Sequence, residues 1–90
     1  MTDSPLYQRD PRLPFQVLQG QAVIVVPARR ELHELDETAT FLWSELSRAR
    51  SLPDLVAALC AEFEVEPGVA EADVGEFLRD LEGKGLVVRP

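Results

Sequence analysis

Cysteine and histidine are almost absent from this chain. Cys60 is its one cysteine, so no intramolecular disulfide can staple the fold. A lone thiol inside a helical pattern reads as a small buried hydrophobe, and the shortage fits a reducing compartment, the cytoplasm. His33 is the one histidine. A zinc-type site takes several His, Cys or carboxylate ligands at fixed spacing. Neither His33 nor Cys60 has such companions, so no metal or organic cofactor is expected. Glycine-rich phosphate loops and a Gly-x-Ser-x-Gly elbow are missing too. With no nucleophile–base pair in view, the chain reads as a non-enzyme. Carboxylate pairs such as Glu62 and Glu64 arise by chance among 16 acidic residues.

Positive charge is also scarce. Nine Lys and Arg stand against 16 Asp and Glu, for a net charge of −7. Nucleic-acid binding rests largely on neutralising phosphates, so this balance speaks for solubility and against that partner. The last helical segment sharpens the point: Glu71, Asp73, Glu76, Asp80 and Glu82 face Arg79 alone, the wrong sign for a major groove. The first residues have no basic region followed by an apolar run, so no signal peptide is expected. No segment approaches the roughly 20 apolar residues of a membrane span.

What remains is enough for one domain. Ninety residues bury about 60–65% of their unfolded surface, and 46% of this chain is hydrophobic. Residues 1–12, with Pro5 and Pro11, read as a flexible arm, and 13–90 as the folded part. Phe15 and Val17 alternate with polar residues as in a first strand. Gln19-Gly20-Gln21 is a turn. Ala22–Val26 is β-branched and reads as a buried second strand that Pro27 ends. Glu31–Leu35 follows as a third strand, closing an antiparallel meander.

The helices announce their starts. Asp36 is a candidate N-cap, with Ala39, Leu42, Trp43 and Leu46 on one stripe behind it. That helix should fray near Arg48-Ala49-Arg50. Ser51-Leu52-Pro53-Asp54 combines a capping serine, a first-turn proline and a capping-box acid. Leu52, Leu55, Val56, Leu59, Cys60 and Phe63 are its stripe. A third helix is expected from about Val69 to Glu82, with Val74, Phe77, Leu78 and Leu81 inward and Gly83 as a left-handed cap. Leu86-Val87-Val88 forms a short strand or simply packs down. The order of elements gives an α+β, winged-helix-like domain, with a three-stranded antiparallel N-terminal sheet followed by a three-helix bundle.

The third strand is the informative one. Last in a meander, it lies at a sheet edge with unpaired N–H and C=O groups. A peptide can add there as a further strand. His33 and Leu35 share one face by alternation, which leaves Leu32 and Glu34 on the other. An apolar Leu32 there asks for something to cover it. The third helix offers a groove wall, and Arg29, Arg30 and Arg79 are candidate partners for acidic peptide residues. The plainer reading of these apolar positions is core, above all for Leu35 and Leu81, and of His33 a half-buried strand residue.

Several pieces, in order and at matching spacing, resemble the PqqD-like family. They are Leu35-Asp36-Glu37-Thr38-Ala39-Thr40-Phe41-Leu42-Trp43, the capped helix Ser51–Leu59, the Phe63-Glu64-Val65-Glu66-Pro67 break, and Phe77-Leu78-x-x-Leu81-x-x-x-Gly85-Leu86-Val87. The resemblance implies a recognition element for ribosomally synthesised, post-translationally modified peptides. It would hold the precursor's leader as an antiparallel strand on the third strand, beside the third helix, for a modifying enzyme: a radical S-adenosylmethionine enzyme, a protease or a cyclase. Carried over, the peptide site is Leu32, His33, Glu34 and Leu35 with Val74, Phe77, Leu78 and Leu81. Many relatives carry aromatics where this chain has Leu32-His33, which leaves the leader motif open. The alternative is a non-catalytic subunit that binds only its partner enzyme.

Overall fold

The computed structural model describes residues 4–90. Its main sheet is built by a tight hairpin. Strand β2 (Phe15–Leu18) pairs antiparallel with β3 (Gln21–Val26), Phe15 opposite Ile24 and Leu18 opposite Gln21. The two residues between them, Gln19 and Gly20, have φ of 53° and 79°. That is the left-handed pair of a type I′ turn, whose twist matches the strands it joins. Pro27 ends β3 and opens a single 3₁₀ turn over Pro27–Arg29. The chain then returns as β4 (Glu31–Glu34), and the sheet order β2-β3-β4 leaves β4 at an edge, as expected.

Asp36 caps helix α1 (Glu37–Glu45), its carboxylate accepting the Ala39 N–H at 2.8 Å. The Thr40 hydroxyl extends the sheet past its end: it accepts the Ala22 N–H at 2.8 Å and donates to the Leu35 carbonyl at 3.4 Å. Ser51 and Asp54 form a reciprocal capping box at the start of α2 (Leu52–Glu62), with distances of 3.2 and 3.0 Å. The bond from the Ser51 N–H holds the Asp54 carboxyl below the usual carboxylate range.

Helix α3 (Pro67–Gly83) starts two residues earlier than expected, because Pro67 at its first position lacks only an N–H that a helix start leaves unpaired anyway. Its end corrects another expectation. Gly83 is helical, and the left-handed residue is Gly85, at φ 70°. Leu86 N–H bonds to the Leu81 carbonyl at 2.9 Å and Gly85 N–H to that of Glu82 at 3.1 Å. This is a Schellman motif, and it turns Leu86 into the core.

The N-terminal arm is the largest departure. Residues 1–3 of it lie outside the described residues, but Leu6–Arg9 is a strand, β1. It is the centre of a second sheet, between β5 (Arg50–Ser51) and β6 (Val87–Val88). Helix α1 thus ends at Glu45, three residues before Arg48-Ala49-Arg50, and Arg50 enters β5; of Leu86-Val87-Val88, the last two form a strand. Arg9 N–H donates to the Leu46 carbonyl and Asp10 N–H to that of Leu86, at 2.9 and 3.0 Å. The Arg9 guanidinium lies 4.7 Å from the Phe15 ring centroid and donates to the Trp43 carbonyl at 3.2 Å. Deleting residues 1–9 should therefore cost about 2–4 kcal/mol, the net worth of a few hydrogen bonds. Urea denaturation of the truncated chain checks this, and an unchanged midpoint would contradict it.

The core lies between the β2-β3-β4 sheet and the three helices. Ala22, Ile24, Leu42, Trp43, Leu46, Leu55, Leu59, Val74, Leu78, Leu81 and Leu86 are all buried there. Cys60 is half-buried rather than buried.

Candidate functional site

Among the described residues one edge of β4 has no strand partner, and it faces helix α3. The Leu35 N–H donates inward, to the Ala22 carbonyl at 2.8 Å. Inward and outward groups alternate along a strand. With Ile24 opposite His33 and Val26 opposite Glu31, the residues Glu31, His33 and Leu35 bond into the sheet. Leu32 and Glu34 turn their N–H and C=O groups outward.

Those groups open on a cleft of about 340 Å³ between β4 and α3. Its walls are Leu32, His33, Glu34 and Leu35 on one side and Phe77, Asp80, Leu81 and Lys84 on the other. A second compartment of about 710 Å³ continues between the start of α1 and α3, past Ala39, Leu42, Asp73, Glu76, Phe77 and Arg79. Asp36, Ala39, Phe77 and Asp80 line both.

The expected site residues fall into three groups. Leu32, His33, Glu34, Leu35, Phe77 and Leu81 line the first compartment and Arg79 the second. Leu32 is 67% exposed, beside Val25 on the outer face of the sheet, while Leu35 and Phe77 are half-buried and Leu81 is buried. Val74 and Leu78 are core residues that support α3 without reaching the cleft. Arg29 and Arg30 flank it. The Arg29 side chain is held by Glu31 at 3.1 Å and by the Lys84 carbonyl, and Arg30 occupies the left-handed turn before β4. His33 also bonds to Glu31, at 3.1 Å. That bond first, and then Arg29, holds the Glu31 carboxyl below its usual range. The N-terminal end of β4 is thereby pinned.

Sequence reasoning missed the acidic side chains of the cleft as members of it. Asp73, Glu76, Asp80 and Lys84 recur with Phe77 at helical spacing, a stripe legible once Phe77 is placed on a groove wall. Among the described residues no group of three or more His, Cys, Asp or Glu is placed to hold a metal ion, and no helix is long and apolar enough to cross a membrane. The exposed face of α3 carries Glu71, Asp73, Glu76, Asp80 and Glu82. In a mobility-shift assay at physiological salt, any duplex DNA should therefore stay unbound at micromolar protein. Submicromolar binding would reverse that reading.

Residues 21–87 match the family described as coenzyme PQQ synthesis protein D (PqqD). The chain belongs to the PqqD family. It is also 32% identical over 83 residues to the PqqA binding protein of Xanthomonas oryzae pv. oryzae strain PXO99A, covering 92% of this chain and 88% of that one. Among solved structures it resembles TbiB1 in complex with the TbiA(beta) leader peptide, with a TM-score of 0.80, 25% identity, and 89% and 93% of the two chains covered. The PqqD truncation of Methylobacterium extorquens PqqCD, a stand-alone RiPP recognition element, superposes with a TM-score of 0.75. At 16% identity, over 93% and 89% of the chains, that likeness shows a shared fold. The α+β architecture of this PqqD-family chain is thus that of the family's recognition elements.

Proposed function

We propose that this PqqD-family chain binds the leader of a ribosomally synthesised precursor peptide by strand addition to β4. It presents that peptide, in the cytoplasm, to a modifying enzyme such as a radical S-adenosylmethionine protein, a peptidase or a cyclase, and does no chemistry itself. The observation that carries the reading is the free edge of β4 opening on a cleft walled by α3. The PqqA binding protein and the TbiB1–leader complex among its relatives support it.

Magnitudes assign the roles. Leu32 and Glu34 offer two donors and two acceptors outward, each bond worth about 1 kcal/mol net. Association costs roughly 4 kcal/mol or more in lost freedom. Main-chain bonds alone therefore leave little affinity. Apolar leader side chains buried against Leu35, Phe77 and Leu81 must supply the rest, at about 25 cal/mol per Å², and with it the specificity.

Titration of the ¹⁵N-labelled protein with the synthetic leader of a candidate precursor peptide tests this. Amide shifts should concentrate on residues 31–35 and on the Phe77–Lys84 face of α3. Shifts confined elsewhere, or shifts only on addition of the enzyme, would favour a subunit that binds its partner enzyme alone.

A further inference from the structure

We infer that the groove takes its peptide in two parts, and that the second part carries a basic side chain read by Asp73 and Glu76. This rests on the leader-binding reading above. A guest extended along β4 runs out of partners after Glu34, where the chain turns through Leu35 and Asp36 into α1. The cleft does not end there. It continues into the larger compartment between α1 and α3, and four lining residues are common to both parts.

That compartment is lined by Asp36, Asp73, Glu76 and Asp80 against Arg79 alone. Two of the four carboxylates are occupied: Asp36 caps α1, and Asp80 pairs with Lys84 at 2.9 Å. Asp73 and Glu76 are exposed and form no ion pair among the described residues. The start of α1 would by itself favour an anion, but the Asp36 carboxylate already sits on its Ala39 N–H. The local field is therefore negative.

The floor is apolar, made by Ala39, Leu42 and Phe77. Lysine and arginine suit such a place, their stems lying on apolar surface while the charged head reaches the rim. The free strand edge and this floor mark the groove independently of its carboxylates. The carboxylates set which guest fits. Of the three arginines named from sequence as partners for acidic residues, Arg29 is held by Glu31 and the Lys84 carbonyl, Arg30 sits in the turn before β4, and only Arg79 lines this compartment, against the two unpaired carboxylates.

A phage-displayed library of random 16-residue peptides tests this. It is selected on the full chain, on Glu34→Pro, and on the double variant Asp73→Lys/Glu76→Lys, with the melting of each variant confirming its fold. The full chain should enrich peptides with an apolar extended segment and a Lys or Arg at constant spacing from it. Replacing that basic residue by alanine should weaken binding about three- to tenfold, the scale of one or two exposed ion pairs, with the difference shrinking in high salt. The double variant should enrich Asp or Glu at the same position. Peptides that depend on Glu34 yet show no charge preference would overturn this inference and leave strand addition standing. Peptides indifferent to Glu34→Pro, or no enrichment at all, would overturn both.

Discussion

Trp43→Ala should unfold the domain or bring it close to unfolding. The ring is 1% exposed, in the last turn of α1, between the sheet and the other helices. Phe15 meets it edge to face at 5.8 Å between centroids, and Arg9 lies over both rings. Truncating a buried tryptophan costs about 3–5 kcal/mol. A domain of this size holds on the order of 5–13 kcal/mol in all, and each kcal/mol moves its melting point by about 4–8 °C. A fall of well over 10 °C in a thermal melt followed by circular dichroism is expected. A variant melting within a few degrees of wild type would mean that the ring is not the keystone of this core.

The same ring has one fault that gives an internal control. Its indole Nε1 is buried without a hydrogen-bond partner among the described residues. A buried unpaired donor costs about 1–3 kcal/mol. Trp43→Phe loses apolar area but also removes that donor, so it should stay within about 1–2 kcal/mol of wild type. Alanine removes the donor as well and still fails, because the cavity dominates. Tryptophan is thus held here by its volume rather than by its N–H.

The helices were legible because their ends are written in short-range chemistry. Asp36 with Ala39, and Ser51 with Asp54, are caps three residues long, and a reader of sequence sees both partners together. The edge position of β4 was legible too, because consecutive strands of a meander pair in order. Strand β1 was not. Its partners lie about 40 and 80 residues away, in strands of two residues each, and Pro5 and Pro11 on either side resemble an unstructured arm. Gly83 and Gly85 are two residues apart and equally able to take a left-handed conformation. Only the burial of Leu86 decides between them. The groove's carboxylates were visible as charge, and as evidence against DNA. Their meeting with Asp36 and Ala39 depends on how α1 crosses α3, and no local pattern records that.

The register of β4 turns a symmetrical question about proline into a directional one. Proline removes an N–H and adds a ring, and a strand tolerates it only where that N–H faces away from the sheet. The His33 N–H points inward, opposite Ile24, and that of Glu34 points outward to the groove. His33→Pro should therefore leave the buried Ile24 carbonyl without its donor and push β4 from β3, destabilising the domain by about 1–3 kcal/mol or more. Glu34→Pro should melt close to wild type. It nevertheless deletes one of the donors offered to a guest strand and sets its ring in the guest's path, so leader affinity should fall by at least about 1 kcal/mol, roughly fivefold. Leu32→Pro should behave like Glu34→Pro, since both face the same way. Thermal melts of the three variants, followed by leader titration of those that fold, separate the two effects. If Glu34→Pro is folded and binds as tightly as wild type, main-chain strand addition at β4 is not how this protein holds its peptide.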